Sequence, residues 1–162
     1  MEHFNNTFMP AANDDVQCFY PGGGSARRII PGESVGIYSR NSTEIIQTIK
    51  SGLPVSAFDM LQKKIDISAT YLAKIININP RTLTRRRKQN YFLADESERL
   101  LRLGRLFDRA RHLMGDDDKA RKWFKTPKVA LNNKTPLEFA DTEPGAIEVT
   151  DLLGRLEHGV FA

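Results

Sequence analysis

A five-residue stretch, Ile-Asn-Ile-Asn-Pro at positions 76–80, limits the possible folds more than any other part of the sequence. It separates a segment with helical apolar spacing, residues 69–76, from the strongly basic segment 81–88. Asparagine adopts a positive φ at low cost, so Asn77 can end one helix and turn the chain. Asn79 can then cap a second helix, because the proline after it suits the first helical position. The stretch predicts two helices joined by a tight corner.

The second of these helices has the features of a recognition helix in a helix-turn-helix. Ile78 and Leu83 have the spacing of a hydrophobic staple, which would fix the angle at which the helix leaves the corner. In a helix-turn-helix, the start of the second helix enters the major groove. A bare run of cations is usually a solvated helix face, but the corner chemistry favours duplex DNA as a partner. RNA is a weaker alternative, because the segment lacks aromatic side chains that stack on unpaired bases.

The predicted DNA contacts are of two kinds. Residues early in the second helix are predicted to contact base edges, where arginine can pair in bidentate fashion with guanine. They are Arg81, Thr82 and Arg85. The later cations of this helix and the polar residues at the start of the preceding helix are predicted to contact phosphates. They are Arg86, Arg87 and Lys88, and Ser68 and Thr70. Because one such unit covers few base pairs, useful specificity predicts a homodimer on a two-fold operator.

The basic charge of the chain is concentrated around this unit. The net charge is +4, yet residues 61–90 contain eight basic side chains and one acidic side chain. Residues 1–60 contain four basic and six acidic side chains, and residues 126–162 contain three and six. This asymmetry predicts a polyanion as the partner of the middle of the chain and a different partner for its C-terminal end.

Helical periodicity recurs from residue 41 onward without a convincing strand pattern. The predicted helix starts are Asn41-Ser42, Ser56, Ser68, Asp95 with Glu98, Asp116, Thr135 with Glu138, and a position near Glu143. Residues 1–40 contain three consecutive glycines and no sustained period. We therefore predict an all-α fold with a poorly structured, flexible N-terminal arm (1–40), a helix-turn-helix domain (41–94) and a second helical domain (95–162). A short strand in the arm, at Val16–Tyr20 or Arg28–Ile30, and a contact of the arm with a second subunit are alternatives.

An apolar stripe marks the longest predicted helix. Its members recur at three- and four-residue spacing and are Leu100, Leu103, Phe107, Ala110 and Met114. Such a stripe faces either the core of its own chain or a dimer seam. The intramolecular core is the preferred interpretation.

Several classes of protein are not expected. Cys18 is the single cysteine, which excludes an internal disulfide and a Cys-rich zinc site and is typical of reducing cytosol. We expect no signal peptide and no membrane span, since no uncharged stretch approaches about 20 residues. The sequence has no nucleophile elbow, Walker loop or zinc spacing, which predicts no enzyme, cofactor or metal. The three aspartates that begin at Asp116 suit a helix start better than a metal site.

The last residues form an apolar tip that ends in an anion. Gly159 permits a sharp exit from the final helix, so that Val160, Phe161 and the carboxylate of Ala162 can project. Such a tip suits insertion into a preformed polar pocket of a partner. The alternative is a frayed terminus, because disorder concentrates at chain ends.

Motifs along residues 50–162 resemble, in order and spacing, the Xre/ParS-type antitoxins of RES–Xre toxin–antitoxin systems. The matching pieces are Gly52–Phe58, Pro80–Arg86, Glu96–Leu103, Ala120–Phe124, Lys134–Leu137, Asp151–Glu157 and His158–Ala162. One departure is the corner, which often reads Leu-Gly-Ile-Ser in the family and has asparagine at positions 77 and 79 here. Both asparagines can do the same work, so the departure does not change the predicted fold.

The resemblance implies a function that composition cannot show. Family members pair with a RES-domain toxin that degrades NAD and cover its active site with their C-terminal region. They also dimerise and repress their own operon in the bacterial cytoplasm. By this resemblance, residues 95–162 form a toxin-binding and dimerisation domain with a C-terminal plug. The implied toxin contacts are Leu153, Arg155, Leu156, Glu157, His158, Gly159, Val160, Phe161 and Ala162.

The residues alone are also consistent with a second class of function. A dimeric helix-turn-helix transcriptional regulator would show the same corner and the same basic helix. Its C-terminal domain would sense a small ligand or only dimerise. A co-encoded enzyme that binds the C-terminal domain would distinguish an antitoxin from such a regulator.

Overall fold

The computed structural model describes residues 32–159, and this part of the chain is built from α-helices. The helices are α1 (Ser42–Ser51), α2 (Val55–Ile65), α3 (Ala69–Ile75), α4 (Pro80–Gln89), α5 (Ala94–Met114), α6 (Asp117–Lys125), α7 (Pro136–Phe139) and α8 (Glu143–Glu157). Two short 3₁₀ helices, Glu33–Val35 and Val129–Leu131, complete the regular structure. Within residues 32–159 there is no strand beyond two isolated bridges, which confirms the predicted all-α class.

Side chains cap most of the helices at the predicted positions. The helix N-caps whose side chains accept a backbone N–H are Asn41, Ser68, Asn79, Asp116 and Thr135, together with Thr142, which the sequence did not single out. Each such bond satisfies an amide that has no partner within its helix. These contacts span at most three residues, so they depend on local sequence alone.

Two predicted helix starts are wrong. Ser56 lies inside α2, because the helix begins one residue earlier, after Pro54. Asp95, predicted to start a helix together with Glu98, lies inside α5, which begins at Ala94. The capping contact is made by Glu96 and not by Glu98. The Glu96 carboxylate accepts the backbone N–H of Leu93 at 2.8 Å.

The long helix α5 forms the centre of the described core. It packs against α1, α2, α6 and α8. The predicted stripe faces these helices: Leu100, Leu103, Phe107 and Ala110 are fully buried, and Met114 at the helix end is partly buried. The stripe therefore belongs to the intramolecular core, as preferred from the sequence.

Part of the predicted N-terminal arm is folded, which corrects the boundary at residue 40. Val35 and Ile37 are buried, and Val35 packs against Gly104 of α5. The buried carboxylate of Asp108 accepts the backbone N–H groups of Gly32 at 3.0 Å and Ser34 at 3.2 Å, and it also accepts the Ser34 hydroxyl. Because these donors find their partner in α5, residues 32–37 join the core.

The remaining arm predictions, at Val16–Tyr20, at the three glycines 22–24 and at Arg28–Ile30, lie outside the described residues. No helix within residues 32–159 is long and apolar enough to cross a bilayer.

The buried carboxylate of Asp108 predicts a pH effect on stability. Burial raises its pKa above the ordinary 3.8, against the opposing hydrogen bonds from Ser34 and Gly32. The folded state therefore binds this proton more tightly than the unfolded chain does. The stability that Asp108 contributes is complete below 3.8 and is lost as pH rises through the higher pKa of the folded protein.

We expect Asp108→Asn to remove this dependence while keeping the contacts. The amide oxygen can accept from Gly32 and Ser34, and the amide nitrogen can donate to the Ser34 hydroxyl. Urea unfolding from about pH 4 to about pH 7 should show the wild type losing stability relative to the variant. Asp108→Ala should cost about 1–3 kcal/mol, because it leaves buried amides unpaired. A constant difference between wild type and Asp108→Asn across this range would refute the prediction.

Candidate nucleic-acid interface and C-terminal surface

The corner between α3 and α4 has the predicted geometry. Asn77 has a φ of 55°, in the left-handed region. The Asn79 side chain accepts the backbone N–H of Thr82 at 2.8 Å, and Pro80 occupies the first turn of α4. Ile78 and Leu83 are both buried, as a hydrophobic staple requires. The helix-turn-helix predicted from the turn residues is confirmed as a structure.

The exposed face of α4 carries three cations. Arg81, Arg85 and Lys88 follow one another at four- and three-residue spacing, which places them on one side of the helix. All three are exposed, and none forms an ion pair with a residue between 32 and 159. Thr82, at the margin of this face, is half-buried. The face therefore presents positive charge that the described chain does not neutralise.

Arg86 corrects the predicted set of phosphate contacts. Arg86 is only 4% exposed, and its side chain faces Glu96 of α5. Nε and Nη2 of Arg86 donate to the two oxygens of Glu96 at 2.6 and 3.0 Å, and Nη1 donates to Gln89 at 2.8 Å. The hydrogen bonds to Glu96 raise the pKa of Arg86 above its ordinary value. Arg86 is a core residue, because it lies three residues after buried Leu83 on the same side of α4.

Arg87 is partly committed to its own chain. It donates to Asp59 of α2 at 2.9 Å, and its guanidinium lies 5.9 Å from the ring centre of Phe58. Its side chain is about 42% exposed, so a phosphate can reach it only in competition with Asp59. The expected phosphate contact of Arg87 stays a prediction.

The first helix of the unit adds polar groups beside α4. Ser68 caps α3 by accepting the backbone N–H of Tyr71 at 3.1 Å, and Thr70 is exposed. An open hollow between α3 and the start of α4 is lined by Ser68, Thr70, Tyr71, Lys74, Asn77, Ile78, Asn79 and Pro80. Lys74 is an exposed cation that the sequence analysis missed. Its four-residue spacing from Thr70 was the available signal.

Two arginines of α5 and α6 donate hydrogen bonds to backbone carbonyls near the ends of α3 and α2. Arg99 Nε on α5 donates to the carbonyl of Ile76, after α3, at 2.8 Å. Arg121 Nε on α6 donates to the carbonyl of Lys64, near the end of α2, at 2.6 Å. Positive charge at a helix C-terminus is favourable, since the last carbonyls lack partners. These two hydrogen bonds join α5 and α6 to the ends of α3 and α2.

At the other end of the molecule, the implied toxin contacts fall into three groups. Leu153 is fully buried in the core, so its predicted contact with a partner is wrong. Arg155 and His158 are exposed, and Leu156 is half-buried. Gly159 has a φ of +66°, which suits the predicted sharp exit from α8. The residues of the proposed tip, Val160, Phe161 and Ala162, lie outside the described residues.

Glu157 has a partner that the sequence did not reveal. Nη2 of Arg109 on α5 donates to Oε2 of Glu157 at 3.3 Å. The two positions are 48 residues apart, so no local pattern indicates the pair. Arg109, Thr150, Asp151, Gly154, Arg155 and His158 line an open hollow of about 370 Å³ between α5 and α8.

The three aspartates that begin at Asp116 behave as a helix start. Asp116 accepts the backbone N–H of Lys119 at 2.9 Å, and this bond lowers the pKa of its carboxyl. Among the described residues, no cluster of three or more His, Cys, Asp or Glu side chains is arranged to hold a metal ion. The capping role predicted for Asp116 is confirmed.

Comparison with known proteins places these features in a family. The family model described as the antitoxin Xre-like helix-turn-helix domain matches residues 44–105. The model of the antitoxin Xre/MbcA/ParS C-terminal toxin-binding domain matches residues 109–159. Both matched ranges include part of α5, and the predicted domain boundary at residues 94 and 95 stays a prediction.

Relatives match across most of their length. The Antitoxin Xre of Yersinia enterocolitica serotype O:8 is 38% identical over 130 residues, 79% of this chain and 88% of the relative. The Antitoxin Xre of Photorhabdus laumondii is 37% identical over 131 residues, 80% and 88% of the two chains. A protein of Sphingobium named Prs ADP-ribosylating antitoxin is 22% identical over 136 residues, 78% and 86%. With a helix-turn-helix whose corner contains Asn77 and Asn79, and with its C-terminal toxin-binding region, the chain belongs to the Xre antitoxin family.

Proposed function

We propose that this antitoxin acts in two ways within a type II toxin–antitoxin system. As a homodimer it binds operator DNA through α4 and represses its own operon. Its C-terminal region blocks the active site of a RES-domain toxin that degrades NAD. It does both by binding, without catalysis, cofactor or metal, in the bacterial cytoplasm.

The proposal of DNA binding rests on the cationic face of α4, whose charges form no ion pair within the described residues. Arg81 lies in the first turn of α4 and Arg85 lies one turn later, on a helix whose angle is fixed by a capped corner and a buried staple. Guanidinium groups in this position suit bidentate contacts with guanine in the major groove. Lys88 on the same face, with Ser68 and Thr70 at the start of α3, suits phosphate oxygens.

The toxin half is supported by the C-terminal matches. The matched C-terminal model is described as toxin-binding, and the relatives are named antitoxins. The name of the Sphingobium relative mentions ADP-ribosylation, a reaction in which NAD is the usual donor. Consumption of NAD is therefore the chemistry that we assign to the partner toxin.

Arg85→Ala tests the recognition helix. We expect operator affinity to fall by about 5- to 150-fold and sequence preference to relax, because one bidentate base contact is lost. Lys88→Ala should weaken specific and non-specific DNA alike and reduce the slope of log affinity against log salt by about 1. Titration of the promoter fragment at several salt concentrations, followed by fluorescence anisotropy, measures both.

Lys50→Ala is the matched control for these variants. Lys50 is an exposed cation at the end of α1, which packs on α5. Its removal should leave operator affinity and the salt slope unchanged. Unchanged affinity of Arg85→Ala, or an equal loss with Lys50→Ala, would contradict the assignment of α4 as the recognition helix.

A further inference from the structure

The hollow between α3 and the start of α4 is lined by groups that can donate hydrogen bonds. Its volume is about 500 Å³, and it is open to solvent. The residues whose polar side chains line it are Ser68, Thr70, Tyr71, Lys74, Asn77 and Asn79. Their hydroxyl, ammonium and amide groups are all donors, and no carboxylate of the described residues lines the hollow. The lining therefore suits a ligand that accepts hydrogen bonds and carries negative charge.

Lys74 is the cation of this hollow. It is exposed in the last turn of α3, four residues after Thr70 and so on the same side of the helix. Within residues 32–159 it forms no ion pair. The hydroxyl of Ser68 accepts the backbone N–H of Tyr71 at 3.1 Å and still has its own proton to donate. Lys74 thus brings an unpaired positive charge to a hollow edged by hydroxyl groups.

A carboxylate on this side of the molecule is held away from Lys74 by another contact. Glu138 of α7 lies beside Tyr71. Its Oε2 accepts the backbone N–H of Thr135 at 3.1 Å and the hydroxyl of Thr135 at 2.9 Å. The hydrogen bonds from Thr135 are the main cause that lowers the pKa of Glu138, and Lys74 contributes less. The capping box of α7 therefore leaves the ammonium of Lys74 available to a ligand.

The geometry of a helix-turn-helix brings this hollow to a DNA strand. When the second helix occupies the major groove, the first helix crosses the backbone of the duplex. The first helix here is α3, and Lys74 lies in its last turn, next to the corner that leads into α4. A strand at the edge of the groove then passes the opening between the two helices.

We propose that this hollow holds one backbone phosphate of the operator, with the ammonium of Lys74 as its ionic contact and the hydroxyls of Ser68 and Thr70 beside it. The proposal rests on the proposed function, in which α4 lies in the major groove. Phosphate contacts carry no sequence information, but they fix the register and orientation of a protein on the duplex. Lys74 therefore sets the position from which Arg81 and Arg85 reach the bases.

Removal of the charge at Lys74 is the first test. Lys74→Gln should weaken operator and non-specific DNA by similar factors and reduce the slope of log affinity against log salt by about 1 for each bound protomer. At about 0.15 M salt this slope corresponds to a loss of about five-fold per protomer. Lys74→Arg keeps the charge and should keep the slope.

Lys50→Gln is the matched control. Lys50 is also an exposed cation in the last turn of a helix, α1, and its replacement changes the net charge equally. It should change neither the affinity nor the salt slope. Lys74→Gln should unfold at the same temperature as the wild type, because the side chain is exposed and makes no ion pair within the described residues.

A neutral phosphate analogue locates the contact. Single phosphates of synthetic operator duplexes are replaced by methylphosphonate, which removes one charge and one acceptor oxygen. Each duplex is titrated with the wild type and with Lys74→Gln. We expect one phosphate in each half-site whose replacement weakens the wild type about five-fold and Lys74→Gln far less, because both changes remove the same contact. Phosphates that pair with Lys88 should stay equally sensitive in both proteins.

The outcomes distinguish this phosphate site from DNA binding as such. If Lys74→Gln keeps the affinity and salt slope of the wild type while Arg85→Ala weakens binding, the phosphate site is wrong and the recognition helix stands. The absence of any methylphosphonate position coupled to Lys74, or an equal loss with Lys50→Gln, would overturn the site too. If neither Lys74→Gln nor Arg85→Ala changes binding, the proposed role of α4 fails as well.

Discussion

Replacing Arg86 by alanine should lower the free energy of unfolding by about 3–5 kcal/mol. The substitution leaves the carboxylate of Glu96 buried without its cation, and a buried unpaired charge is far more costly than the pair itself is favourable. Glu96 also caps α5 through the backbone N–H of Leu93, so its displacement would loosen the junction between α4 and α5. Urea unfolding followed by circular dichroism measures the loss.

Two further variants make this prediction specific. The neighbouring pair of Arg87 and Asp59 is exposed, so Arg87→Ala should cost no more than about 1 kcal/mol. Combining Arg86→Met with Glu96→Leu removes both charges and should recover much of the loss, because an apolar replacement no longer buries an unpaired ion. If Arg86→Ala unfolds like the wild type but loses DNA affinity, Arg86 is a phosphate contact after all.

Deleting Gly159–Ala162 should abolish neutralisation of the toxin and leave the rest of the protein unchanged. The buried residues of α8 end at Leu153, and Gly159 is exposed, so the deletion removes nothing from the described core. Cells that co-express the toxin with the truncated antitoxin should stop growing and lose NAD. Thermal unfolding and operator binding should match those of the full chain.

Two controls separate the chemistry of the tip from its length. Replacing Val160 and Phe161 by serine keeps the length and should reproduce the loss, since the apolar filling of the pocket is removed. Val129→Ser alters another apolar residue of the C-terminal part, one that is 86% exposed on the 3₁₀ turn, and should preserve growth. Full protection by the truncated protein would exclude the plug and would mean that residues before Gly159 neutralise the toxin.

The cationic residues of α4 show where sequence reasoning works and where it stops. Arg85, Arg86 and Arg87 are adjacent in sequence and were all assigned to DNA. Only Arg85 is exposed without an ion pair among the described residues, whereas Arg86 is buried and Arg87 pairs with Asp59. The three-residue spacing from buried Leu83 indicates that Arg86 turns inward. The identity of Glu96 as its partner follows only from the tertiary structure, which brings the first turn of α5 to Arg86.

Short-range chemistry was therefore readable from the amino-acid order alone. The positive φ of Asn77, the cap at Asn79 and the capping box at Thr135 each join groups at most a few residues apart, so their geometry hardly depends on the rest of the molecule. Burial depends instead on which faces meet after the helices pack. The contact of Gly32 with Asp108 spans 76 residues, and that of Arg109 with Glu157 spans 48. Such pairs exist only in the assembled fold, because the long helix α5 brings together segments that no local pattern connects.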